Sequence, residues 1–98
     1  MIFKGTTIPK LPEGFVNMSY GNDVCAHYEK EWGMYIIEVW INYDDPERRE
    51  VPEQYMIGIK EIFESEFIEY MYFETDDLIN AARLIYVEAF RLMKKYRE

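Results

Sequence analysis

Apolar positions recur along this chain in two rhythms, an alternation of period two through most of its length and a helical repeat in its last quarter. The clearest alternation runs from Met34 to Tyr43. Its odd positions are Tyr35, Ile37, Val39, Ile41 and Tyr43; its even positions are Met34, Ile36, Glu38, Trp40 and Asn42. Both sets are rich in apolar side chains, which predicts a central strand covered at least partly on each side. Upstream, Phe15–Tyr20 and Asp23–Tyr28 flank Gly21-Asn22, a two-residue loop whose glycine suits the positive φ of a hairpin turn. A second reversal near Glu31–Gly33 leads into the central strand.

The stretch 52–74 has two readings. As a helix it would start at Pro52 and align Ile59, Ile62, Phe63, Phe67, Tyr70 and Met71 on one stripe. Gly58 and the aromatic density of Tyr70-Met71-Tyr72-Phe73 favour strands instead, Tyr55–Ile62 and Phe67–Phe73, reversing around Glu64-Ser65-Glu66. Downstream the period changes. Thr75 serves as a cap, Asp76 and Asp77 complement the positive end of a helix dipole, and Lys94, Lys95 and Arg97 complement the negative end. Leu78, Ile79, Ala82, Ile85, Tyr86, Ala89, Phe90, Met93 and Tyr96 make one broad apolar stripe on it. At ~1.5 Å per residue such a helix is long enough to lie across a whole sheet of strands spaced ~4.8 Å apart.

These elements predict one α+β domain over residues 1–98: an antiparallel sheet of about five strands in meander order, packed on one long carboxy-terminal helix. Residues 1–13, with Pro9 and Pro12, form an extended arm, 14–74 the strands and 76–97 the helix. One helix covers one face. If Phe67, Met71 and Phe73 face it, then Ile68, Tyr70 and Tyr72 point away, together with Met34, Ile36 and Trp40, beside Glu66 and Glu74. That describes an apolar and aromatic patch with an acidic border, larger than monomers commonly leave bare. The arm could seal it with Ile2, Phe3, Ile8 and Leu11, a helical middle region could cover it, or a partner could occupy it.

Charge sharpens this. The net charge is −8, and residues 31–77 carry fourteen acids against Arg48, Arg49 and Lys60, whereas residues 78–98 carry five bases against Glu88 and Glu98. An acidic balance serves solubility, and a dense field of one sign also attracts a basic partner while repelling nucleic acid. A single cysteine, Cys25, excludes an internal disulfide and fits a reducing, cytoplasmic setting. No stretch approaches a membrane span and the basic-then-apolar pattern of a secretory leader is missing from Met1–Gly5, so a non-secreted chain is expected, with the sequon Asn17-Met18-Ser19 fortuitous.

Candidate chemistry is sparse. Cys25, His27 and Glu29 share one face of an extended segment, but Cα atoms two apart stand ~6.5–7 Å from each other, so direct pairing needs a bend. Asp44 with Asp45 and Glu47 lacks calcium-loop spacing, and Asp76 with Asp77 is accounted for as helix capping. No cofactor motif and no metal-ligand spacing is present. The expectation is therefore a non-enzymatic acidic module that binds a basic protein, in the manner of an inhibitor or immunity protein acting on a nucleic-acid-processing enzyme, possible by DNA mimicry. Its contact residues would be Glu64, Glu66, Glu69, Glu74, Asp44, Asp45 and Glu47, with Trp40, Tyr70 and Tyr72 as anchors. The alternatives are a homodimer joined through the uncovered sheet face and a small enzyme centred on Cys25 and His27.

Overall fold

A computed structural model describes residues 3–21, 23–61, 67–73 and 78–95, with backbone alone for 67–73 and for residue 78. The chain is an antiparallel meander against one carboxy-terminal helix. Strands β1 (Val16–Asn17), β2 (Ala26–Trp32), β3 (Tyr35–Ile41), β4 (Tyr55–Glu61) and β5 (Phe67–Phe73) lie in sequence order, and helix α1 spans Leu78–Lys95. Four strands are full length. The fifth, β1, is a two-residue edge that pairs Val16 with Glu29 and Asn17 with Tyr28.

The local sequence explains each reversal. Tyr20 and Asp23 close the reversal ahead of β2, with Asp23 N donating to Tyr20 O at 3.0 Å and Tyr20 N to the Asp23 carboxylate at 2.7 Å. The β2–β3 hairpin turns at Gly33-Met34, where Gly33 has φ +60°, a region that side-chain-bearing residues seldom enter. The stretch 52–74 holds two strands, β4 and β5, as its glycine and aromatic content predict. The longer β3–β4 connection is fastened from within. Buried Asn42 donates to Val51 O and Glu53 O, and Arg49 donates to Tyr43 O, Asp44 O and Pro52 O. The arm is tied to the same connection through Asp44, which accepts from Thr7 N at 3.0 Å and Thr7 Oγ1 at 2.6 Å.

One face of β3 and β4 supplies the core: Ile37, Val39 and Ile41 with Tyr55, Ile57 and Ile59, packed on Ala81, Ile85, Ala89 and Leu92 of α1. Helix and strands thus meet through i, i+4, i+8 and i+11 positions, with two alanines allowing close approach. This is narrower than the expected stripe, and rotated from it. Ile79 is 84% exposed and Phe90 61%, and Tyr86 is exposed beside them. The reason is that the helix is apolar over a wider arc than two strands can cover, and its small side chains lie nearest the sheet. The expected cap residues 75–77 lie outside the described residues.

Two expectations concern the opposite face. Among the described residues the arm does not seal it: Phe3 and Leu11 of the arm, with Phe15 after it, pack against the helix-side core. The described part of the expected apolar patch is interrupted. Met34 is in the hairpin turn, 68% exposed, and buried Glu38 separates Ile36 from Trp40. In β5 the register sets Met71 opposite Ile57 and Phe73 opposite Tyr55, as expected, but an irregularity at Ile59/Lys60 sets Phe67 opposite Lys60.

This division of the helix has a measurable consequence. Ile85→Ala is expected to cost about 2–5 kcal/mol in urea unfolding, because it opens a cavity where helix meets sheet. Phe90→Ala should stay within about 0.5 kcal/mol despite removing more apolar surface.

Candidate functional site

Polar side chains converge on the sheet face turned away from α1. The register builds the site row by row. His27 pairs with Trp40 and Trp40 with Met56; Glu29 pairs with Glu38 and Glu38 with Gly58; Glu31 pairs with Ile36 and Ile36 with Lys60. Residues opposite each other on one face stand close enough for direct contact, and diagonal neighbours come within reach of long side chains.

Glu38 is the centre. It is 2% exposed on the middle strand, a position where an ionised carboxylate is costly unless it is paired and hydrogen-bonded. Three groups meet it. Lys60 Nζ lies 2.6 Å from Oε1, Trp40 Nε1 donates to Oε2 at 3.1 Å, and His27 Nε2 lies 3.6 Å from Oε2. The His27 and Trp40 rings stack in parallel, centroids 3.9 Å apart with planes at 2°, which fixes the imidazole plane. His27 Nε2 also lies 3.0 Å from Glu29 Oε2.

The ionisation of these groups follows from this packing. Burial pushes the Glu38 carboxyl upward, but hydrogen bonds and charge from His27 and Lys60 outweigh it and bring its pKa down to about 2. Glu29 is raised, first by burial and then by Glu38 and Glu31, which His27 and Lys60 oppose incompletely. For Lys60 burial acts downward, yet its bond to Glu38 and the charges of Glu38 and Glu29 raise it on balance.

The donor atoms of His27, Glu29 and Glu38 all lie within 4.8 Å of one another, a spacing that one metal ion can span. Beside them, Gly14, Val16, Met18, Glu29 and Glu31 line a surface recess of about 410 Å³. A second recess of about 400 Å³ lies on the helix side, between Leu11, Pro12, Ala82 and Tyr86.

Of the residues singled out from sequence, Trp40 belongs to this cluster. Tyr70 and Tyr72 register opposite Gly58 and Met56, and Glu69 opposite Ile59. Glu64, Glu66 and Glu74 lie outside the described residues. Asp44 holds the arm, and Asp45 accepts from Glu47 N at 2.9 Å at the start of the short 3-10 helix Pro46–Arg48; Glu47 is exposed there. Among the described residues no hydrogen bond or ion pair joins Cys25 to His27. Cys25 is buried ahead of β2, its thiol pushed up to about 11 by burial and by Asp23 and Glu50, whereas His27 meets carboxylates on β2 and β3. Sequence reasoning missed Glu29, Glu38 and Lys60 as a site. The available signal was Glu38 itself, a lone charge between Ile36 and Trp40 on the strongest strand, which demands a cation from a neighbour.

Comparison with models of protein families, with curated proteins and with solved structures found no match to this chain. No described helix is long and apolar enough to cross a membrane.

Acid titration tests the Glu38 pairing. A carboxylate with a depressed folded pKa contributes stability above its unfolded value, near 4.5, and that contribution is lost as pH falls toward about 2. Glu29, shifted the other way, binds its proton earlier, and that step favours the fold. Unfolding free energy should therefore drop mainly below the ordinary carboxylate range, by an amount on the order of 3 kcal/mol that Glu38→Gln abolishes. Cys25 offers a second check. Its alkylation by iodoacetamide at neutral pH should be slow in the native protein and should accelerate in denaturant, since both burial and a raised pKa suppress the thiolate.

Proposed function

We propose that this chain is a non-enzymatic binding module that engages a basic protein through the acidic side of its sheet. The observation that carries the reading is the recess at the β1–β2 edge. Val16, 59% exposed, and Met18 give it apolar lining, and Glu29 and Glu31 give it negative charge. A lysine or arginine side chain has the matching form, an aliphatic stem that lies on apolar surface and a cationic head that meets carboxylates. Glu29 is raised in pKa by burial and by its acidic neighbours, so a partner's cation relieves an imbalance that the chain's own bases leave. The net charge of −8 extends the attraction beyond contact and accelerates encounter.

Basic surfaces of this kind occur on proteins that handle nucleic acid, and an acidic module seated there would compete with phosphates. Inhibition of such an enzyme is the outcome this reading favours. Self-association through the same face is less favoured, because it would bring two acidic surfaces together.

Titration of the isotope-labelled protein with octa-arginine, followed by NMR, tests the reading. Amide shifts should centre on Val16, Met18, Glu29 and Glu31 and fade with added salt. Glu31→Gln, at an exposed position, should weaken the peptide about two- to fivefold. Shifts centred elsewhere, or affinity indifferent to both salt and Glu31→Gln, would overturn it.

A further inference from the structure

We propose that His27, Glu29 and Glu38 form a binding site for a divalent transition-metal ion of the zinc class, on the sheet face opposite the helix. The site shares Glu29 with the recess of the basic-partner reading, but it rests on the geometry of Glu29 with His27 and Glu38 and not on the net charge.

The donor set is one imidazole nitrogen and two carboxylate oxygens, a combination suited to zinc and to its divalent neighbours. Bonds of ~2.0–2.2 Å to a common ion place adjacent ligand atoms about 3.0–3.6 Å apart. His27 Nε2 stands 3.0 Å from Glu29 Oε2 and 3.6 Å from Glu38 Oε2, so modest adjustment brings all three onto one centre. Two strands in fixed register hold them, so little ordering is left to accomplish on binding.

A second observation points to a ligand. The His27 side chain is 7% exposed, and its Nε2 is buried without an aligned hydrogen bond, although carboxylate oxygens surround it. Buried polar atoms rarely go unsatisfied. An ion between the nitrogen and the two oxygens would satisfy it along the lone pair.

The surroundings fit an outer shell. Trp40 stacks on the imidazole and donates to Glu38 Oε2, and Lys60 holds Oε1, so both ring and carboxylate are oriented before an ion arrives. Lys60 also sets a limit. The Lys60 ammonium, held on Glu38 Oε1, offsets part of the carboxylate charge and so weakens the attraction for a second cation.

Calorimetric and thermal titration of the chelator-treated full chain with Zn2+, Mn2+ and Co2+ tests the site. Zn2+ should bind one-to-one and raise the melting temperature, and Co2+ should develop visible ligand-field bands. His27→Gln and Glu29→Gln should each reduce affinity by about tenfold or more, while Lys60→Met should increase it. Glu31→Gln, which weakens octa-arginine, should leave Zn2+ affinity unchanged, so failure of one reading is separable from failure of the other. If His27→Gln does not fold, Glu29→Gln decides, since that side chain is 18% exposed. Absence of binding by all three ions, or Zn2+ affinity unaltered in folded Glu29→Gln, would sink the proposal.

Discussion

A carboxylate buried on the middle strand of the sheet constrains everything around it. Glu38 can remain ionised only if polar groups reach it, and they do: Lys60 from β4, the Trp40 indole from its own strand and, at 3.6 Å, the His27 imidazole from β2. Shifting either pairing by one residue would turn Glu38 into the helix-facing core and expel Ile37 or Val39 to the polar side. The apolar set on one face and the ionic set on the other therefore specify the same register. Such agreement between independent terms is what selects one arrangement from the several that a meander permits.

The same division separates the two sides of the molecule chemically. Toward α1 the sheet offers isoleucine, valine and alanine, and the arm adds Phe3, Leu11 and Phe15 around them. Away from α1 it offers charge and stacked rings. The helix carries Arg83, Arg91, Lys94 and Lys95, whereas Glu29, Glu31 and Glu38 lie on the second side. The proposed basic partner and the proposed metal ion both fall on the second side. The helix side retains exposed Ile79, Tyr86 and Phe90, because its apolar arc exceeds what β3 and β4 bury.

Much of the fold was legible in linear pattern. Strand alternation in Tyr35–Ile41, the glycine-centred reversals, the strand assignment of β4 and β5 and the change of period before α1 all report local preferences, and local preferences survive without knowledge of neighbours. The site was legible only in fragments. Trp40 stood out as an anchor and His27 as a reactive type, but their stacking on each other and the carboxylates around them come from neighbouring strands. Asp44 and Asp45, expected as recognition acids, also fasten the arm and a helical turn.

The chain's own order of residues determined an antiparallel meander, one covering helix and an acidic surplus, because periodicity, turn chemistry and charge count are properties of adjacent residues. Tertiary structure alone decided which arc of the helix meets the sheet, and that Glu29, Glu38, His27 and Lys60 share one place. Those outcomes depend on cross-strand register, in which residues far apart in sequence become diagonal neighbours, and on how closely small side chains let two layers approach. A buried ionic cluster is a property of that meeting, and no single strand contains it.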